Sequence, residues 1–308
     1  MSVCICGSLA YDMIMTFEGK FADHILPDKI HMLNLSFLVP NMKREFGGCA
    51  GNIAYGLKLL GGDPRPLATL GSDGTPYLER LKTLGIDDRG VKTIAESYTA
   101  QCFITTDLAN NQLTAFHPGA MMASHSAPVE STGGVKLGLL GPDGKEGTFV
   151  HARQMHAAGI PFVFDPGQMM PILTGDDLRE LIGLSDWLAV NDYEAELVVE
   201  RTGHTLLQLG EQLRAVIVTK GEQGVDVISK GSVTAIPAIK AQAVVDPTGC
   251  GDAFRSGFLF GLAREMDVVQ AARIGCIMGA IKIAHHGGQN YQTDWAEVSA
   301  MLARHYPS

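Results

Sequence analysis

Apolar positions along the chain follow two rhythms. Short continuous runs at 3–7, 65–70, 135–140, 161–165, 187–190, 215–219, 225–228 and 233–236 predict buried strands. Apolar residues at helical spacing predict helices between them. Ile53, Ala54, Leu57 and Leu60 form one such set, opened by the run from Gly47 to Asn52 and closed by Gly61-Gly62. Leu78, Leu81 and Leu84 form a second, and further helices are expected at about 145–158, 192–202, 205–213, 252–265, 268–285 and 294–304. Strand–helix alternation from about 133 onward predicts a parallel sheet covered by helices on both faces. Two stretches break the rhythm. Segment 13–46 scatters Phe17, Phe21, Phe37 and Phe46 among polar residues, and Pro27 and Pro40 exclude a long helix. Runs 98–106 and 112–117, turned at Ala109-Asn110-Asn111, read as a hairpin. Together these stretches predict a lid.

Ligands of parallel sheets bind beyond the C-terminal strand ends. Gly7 with Asp12, Gly71 with Asp73, Asn191 with Glu194, Thr219 with Gly221 and the loop before Asp252 all follow expected strands, which gathers them on one edge. The densest signal lies at 246–254. A strand-like run (Ala243, Val244, Val245) enters it, Thr248 to Gly251 make a small-residue turn, and Phe254, Gly257, Phe258 and Leu262 lead out as a helix. Unpaired N–H groups at such a helix start form an anion site. Asp252 at its mouth either acts on a second reactant beside the anion or caps the helix. Asn191 and Glu194, three apart, share a helix face and read as a metal-ordering pair or a capped helix start. Asp73 reads as a ligand or a cap, and Arg255 as a phosphate partner or a surface residue. The turn from Thr219 to Gly224 follows phosphates or merely joins two strands, and Lys220 is a phosphate contact or solvated.

Composition narrows the class. The 308 residues are 46% hydrophobic and 19% charged, a globular chain with a sizeable core. A net charge of −9 argues against nucleic-acid or anionic-membrane binding, yet leaves room for a small anion held by backbone amides. No stretch reaches the roughly 18 apolar residues of a membrane span. The N-terminus lacks a basic leader, and six scattered cysteines show no Cys-x-x-Cys pair, so the expectation is a reduced, cytoplasmic protein. Cys4 and Cys6 share a strand face and read as core filling, and His285-His286 lack the partners of a metal site. No Gly-x-x-x-x-Gly-Lys-Ser/Thr loop is present.

Taken as a set, Gly7…Asp12, Gly47-Gly48-x-x-x-Asn52, Gly71-x-Asp73-Gly74, Asn191-x-x-Glu194, Thr219-x-Gly221-x-x-Gly224 and Asp246-x-x-Gly249-x-Gly251-Asp252 resemble the ribokinase-like (phosphofructokinase-B) kinases along the whole chain. The resemblance implies one kinase domain over 1–308, a three-layer α/β/α sandwich with a mainly parallel central sheet, and a small β-strand lid from about 13–46 and 98–117. It implies Asp252 as catalytic base, with the Gly249, Cys250 and Gly251 amides holding the transferred phosphoryl group. Asp12, Gly48 and Asn52 would line the acceptor pocket. Asn191, Thr219, Gly221 and Gly224 would meet ATP, and Asn191 and Glu194 would order Mg2+ through water. Asp246 resembles a position that supports a K+ site in some members. Pro247 and Cys250 depart from the common threonine and alanine. Pro247 removes an N–H, and Cys250 is a small buried residue or an oxidation-sensitive one.

Gly-Gly-Cys-Ala-Gly-Asn lacks the lysine of ribokinases proper. Together with 13–46, 114–121 and 288–291 it looks like bacterial adenosine-kinase-like members. The implied reaction is ATP + adenosine → ADP + AMP, with Phe37 and Phe116 stacking on a purine or simply packing. A free-sugar kinase and a non-catalytic sensor are the alternatives. The partners are then ATP and a small nucleoside or sugar, in a monomer or homodimer.

Overall fold

In a computed structural model that describes residues 1–24, 36–109 and 111–307, the chain folds around a nine-stranded sheet. Its strands are β1 (Ser2–Cys6), β4 (Asp63–Leu70), β5 (Val91–Thr93), β8 (Leu137–Leu140), β9 (Phe162–Phe164), β10 (Trp187–Asn191), β11 (Ala215–Thr219), β12 (Val225–Ser229) and β13 (Ser232–Ile236). The order is β13-β12-β11-β10-β9-β8-β1-β4-β5, parallel except for the antiparallel β11-β12 and β12-β13 pairs. Strict alternation of the strand side chains explains the layering. Val3, Ile5, Leu139, Val163, Ala189 and Ile217 face one core, under α1 (Cys49–Leu59), α2 (Thr75–Thr83), α7 (Cys250–Ala263), α8 (Val268–Lys282) and α9 (Trp295–His305). Cys4, Cys6, Leu140, Phe164, Leu188 and Val216 face the other, under α3 (Lys145–Ala157), α4 (Gly175–Leu184), α5 (Asp192–Thr202) and α6 (Leu206–Gln212). The three-layer sandwich is as expected, and Cys4 and Cys6 are core filling.

A second sheet forms the lid: β3 (Met42–Gly47), β2 (Ala10–Thr16), β6 (Ala100–Thr106) and β7 (Gln112–His117), in that order. Pro27 and Asn110 lie outside the described residues. Asp12 therefore sits inside a lid strand, not in a loop after β1, because the chain leaves the main sheet at Gly7 and pairs with β6 within four residues. Phe37 packs with Phe17 and Phe21, at ring-centroid distances of 4.7 and 5.0 Å, rather than serving as a purine platform. Asp73 accepts from the Thr99 N–H (2.7 Å) and the Gln101 side-chain amide (3.2 Å), so it ties the lid strand β6 to the sandwich and does not cap α2.

The expected strand at 243–245 does not form. This segment follows the edge strand β13, where no neighbour offers a ladder, and Val244 is 79% exposed. Its end is held instead by the Ile283 carbonyl, which accepts from the Val245 and Asp246 N–H groups. α8 stops at Lys282, short of 285. α4 was not anticipated, although Thr174 and Asp177 make a reciprocal cap at its start.

α7 and α8 pack closely because α7 presents glycine where they cross. A Cβ at Gly257 would stand 2.8 Å from the Ile274 carbonyl oxygen and 2.9 Å from the Gly275 nitrogen, both backbone atoms that cannot swing aside. Gly257→Ala should destabilise the protein by about 1–3 kcal/mol, as overpacking does, read as a lower urea midpoint. An unchanged midpoint would show that the helix pair separates freely.

Candidate active site

The site assembles where the start of α7 meets the start of α1 under the lid. Gly249, in the left-handed region at φ 76°, turns the chain into α7. The turn before it is fastened from several sides. Asp246 accepts from the Thr248 N–H (2.8 Å) and the Gly287 N–H (2.7 Å), which fixes the turn on either side of Pro247. The Cys250 N–H donates to the Pro247 carbonyl (3.1 Å). Cys250 is thus a turn-closing donor and is not free for an anion. The N–H groups of Gly249, Gly251 and Asp252 have no protein partner among the described residues. Burial raises the Cys250 thiol above its ordinary pKa, which disfavours the reactive thiolate.

Asp252 stands in the first turn of α7, and its Oδ2 accepts from Asn52 Nδ2 of α1 at 2.9 Å. Burial pushes its carboxyl up to about 6, against the Asn52 hydrogen bond and the nearby Arg255 and Lys282 charges. Asn52 is itself fixed: its Oδ1 accepts from Gln289 Nε2 (3.2 Å), which also donates to the Tyr77 hydroxyl (2.9 Å), and that hydroxyl donates to the Gly47 carbonyl (2.7 Å). Gln289 and Tyr77 carry no local sequence signal of a site role, since their partners are far away in the chain. Gly48, at φ 84°, is needed for close approach. A Cβ there would meet the Ser8 carbonyl oxygen at 2.5 Å and the Ala10 nitrogen at 2.7 Å.

Above this floor, Asp12, Glu45, Cys102 and Phe116 form one cross-strand row of the lid and share a face. Burial, with Asp252, Glu45 and Asp246 nearby, pushes the Asp12 carboxyl up to about 6. Asp12 thus lies near enough to Asp252 to feel its charge, and Phe116, 46% exposed, shares the Asp12 face of the lid. On the far side of the turn opens a cavity of about 590 Å3, lined among others by Thr219, Gly221, Gly224, Val244, Gly251 and Ile283. Thr219, Gly221 and Gly224 thus reach the same cavity as the α7 turn. Lys220 is spoken for by Asp226, at 2.8 Å.

Asn191 and Glu194 form a reciprocal cap, with Asn191 Oδ1 accepting from the Glu194 N–H (2.8 Å) and Glu194 Oε2 from the Asn191 N–H (2.9 Å). This leaves one Glu194 oxygen free. Burial and the neighbouring Asp165 charge raise the Glu194 pKa. A divalent cation bound through water fits such a site. A closed cage does not, since no group of three or more ligating side chains occurs among the described residues.

Arg255 is neither a surface residue nor a free phosphate binder. It is 6% exposed, and its Nε and Nη2 grip both carboxylate oxygens of Asp165, just past β9, while Nη1 donates to the Gly251 carbonyl (3.2 Å). The pair thereby orients the peptide that precedes Asp252. Asp165 was legible only as an acid at a strand's C-terminal end.

The fold and site together define a phosphotransferase with a hydroxyl acceptor. The chain belongs to the pfkB family of carbohydrate kinases, whose model matches residues 11–295. It is 31% identical over 305 residues to a nucleoside kinase of Methanocaldococcus jannaschii, covering 97% of this chain and 96% of that one. The structure of Burkholderia thailandensis nucleoside kinase in complex with inosine superposes with a TM-score of 0.89 at 48% identity, over 99% of this chain and 98% of that one. Its complex with ADP-inosine gives 0.87 at 50% identity, over 99% and 96%.

If Asp252 must be ionised to work, the acid limb of the pH–rate profile should lie near pH 6, with activity rising above it. Arg255 lowers and Asp165 raises the Asp252 pKa. Arg255→Met should therefore move the limb to higher pH and Asp165→Asn to lower pH. Shifts in the same direction would contradict this electrostatic account.

Proposed function

We propose that the protein is an ATP-dependent purine nucleoside kinase that phosphorylates the 5′-hydroxyl of adenosine and of inosine. The observation that carries this reading is that two half-buried carboxyls, Asp252 on the sandwich and Asp12 on the lid, stand close enough for the charge of one to act on the other, beside a helix N-terminus. The adenosine-kinase-like motifs support adenosine, and the inosine complexes of a relative at 48–50% identity support a pocket that also takes a 6-oxo purine.

In this reading Asp12 accepts hydrogen bonds from the ribose 2′- and 3′-hydroxyls, because a carboxylate can serve both at once. Asn52 holds Asp252 toward the 5′-hydroxyl. Asp252 takes the hydroxyl proton as the oxygen attacks the γ-phosphate in line, which breaks the bond to the ADP leaving group. The Gly249, Gly251 and Asp252 N–H groups hold the charge that develops on the transferred group, and preorganised donors of this kind are worth roughly 3–4 kcal/mol each. Phe116 covers the purine. Thr219, Gly221 and Gly224 border the nucleotide, whose base lies against Val244 and Ile283. Asn191 and Glu194 would hold a magnesium ion through water, and that ion would supply positive charge against the phosphates. Lid closure keeps water from the γ-phosphate.

The purified protein should be given ATP, magnesium and a mixture of adenosine, inosine, guanosine, cytidine, ribose and fructose, with products read by mass. AMP and IMP should dominate. A sugar phosphate as the main product would overturn the acceptor assignment while keeping the family. Asp12→Ala should raise the nucleoside KM by about 10²-fold, the loss of a charge-assisted contact to two hydroxyls, with the ATP KM little changed. An equal rise in both would argue against its place on the acceptor side.

A further inference from the structure

The C-terminal end of α8 is apolar from Gly275 to Ile281, and it then buries one charge completely: Lys282 is 0% exposed. Its Nζ donates to the Asp246 carbonyl at 2.7 Å and stands 3.9 Å from the Asp246 carboxylate. No other side chain or carbonyl accepts from it among the described residues. A desolvated ammonium is costly unless acids surround it. Burial lowers its pKa from the ordinary lysine value, and the carboxylates of Asp246 from the turn and Asp252 from α7 oppose that shift. The reaction described above does not use Lys282, yet it lies directly beneath the turn that carries the proposed anion-binding amides.

The resemblance that brought ATP and magnesium also brought the expectation of a potassium ion at Asp246. The residues present do not fit one. A monovalent cation needs several oxygens turned toward it, and each Asp246 oxygen already accepts from a protein donor. Its carbonyl accepts from Lys282, its Oδ1 from the Thr248 N–H (2.8 Å) and its Oδ2 from the Gly287 N–H (2.7 Å). The Ile283 carbonyl, the next oxygen on that side, accepts from the Val245 and Asp246 N–H groups. A metal cation here would also face the buried ammonium at short range.

We propose that Lys282 is a tethered monovalent cation. Its ammonium pins the Asp246 carbonyl and balances the acids around the α7 turn, and phosphoryl transfer by this chain is therefore independent of potassium. Lys282 is a positioning residue, acting on the reacting groups through the turn and never touching substrate. The inference rests on the kinase reading above for its rate measurements, but not for its binding measurement.

The experiment has two arms. In the first, initial rates are measured in potassium, sodium and tetramethylammonium chloride at fixed ionic strength, for the wild type and for Lys282→Met, which keeps the buried chain and removes the charge. Wild-type rates should agree within about twofold. Lys282→Met should lose about 10²-fold or more, as when a preorganising group is removed, and should recover by about tenfold or more on adding potassium or methylammonium. A lost lysine that mattered only for packing would not be rescued by a cation. In the second arm, ADP-bound crystals are soaked in rubidium and inspected for anomalous scattering beside Asp246. The wild type should show no peak and Lys282→Met should show one. A wild-type rate that rises about tenfold with potassium, a Lys282→Met enzyme that is fully active without added cation, or a rubidium peak in the wild type would each overturn the proposal. Should Lys282→Met fail to fold, the wild-type salt series and wild-type rubidium crystal still decide it. Should the wild type make no phosphorylated product in any salt, the kinase reading fails, and the rubidium crystal tests the cation inference alone.

Discussion

A carboxyl group desolvated at the N-terminus of a helix is the constraint on which the rest of this site depends. The position is electrostatically divided. The free amides and dipole of α7 favour negative charge, while desolvation resists it and pushes Asp252 up to about 6. The surrounding side chains manage that conflict. Asn52 donates to the carboxylate, Arg255 and Lys282 supply buried positive charge, and Asp165 keeps Arg255 neutralised and fixed. Each partner comes from a different element: α1, α7 itself, the end of β9, and α8. The site exists only when α1, α7 and α8 are packed on one face of the sheet beside the end of β9, so folding and function rest on the same contacts.

The lid obeys a related logic. Asp12 reaches the site only because β2 leaves the main sheet immediately after β1, and Asp73 fastens β6 beside it. A second carboxyl near Asp252 carries a cost, since desolvation first and the Asp252 charge second raise the Asp12 pKa. In the proposed reaction, ribose hydroxyls donating to these acids would relieve that repulsion and so couple acceptor binding to the ionised form of the base. The sandwich and the lid thus contribute one acid each to the same space.

Much of this was legible in the sequence, and the misses have physical causes. Continuous apolar runs located the central strands because parallel strands are buried on both faces. The lid strand β3, by contrast, reads Met-Lys-Arg-Glu-Phe-Gly and is half-exposed, so it carried no such signal. The run at 243–245 looked like a strand, but a strand requires a neighbour, and none lies beyond β13. The glycine turn and Asp252 could be found because backbone amides need only local sequence. Asp165, Gln289, Tyr77 and Lys282 could not be assigned in this way, since their partners lie between 30 and 237 residues away. A lone lysine closing an apolar helix, and an acid ending an apolar strand, are the signals that were available for two of them.

The central claim is that Asp252 removes the acceptor's proton, and Asp252→Asn tests it most directly, because the amide keeps the shape and can still meet Asn52. Turnover should be followed alongside equilibrium binding of ADP and nucleoside. The account predicts a loss of at least about 10³-fold in kcat, within the range of general-base catalysis, with both ligands bound as tightly as by the wild type. A variant that turns over at nearly the wild-type rate would contradict it, and the carboxyl at the start of α7 would then be a helix cap.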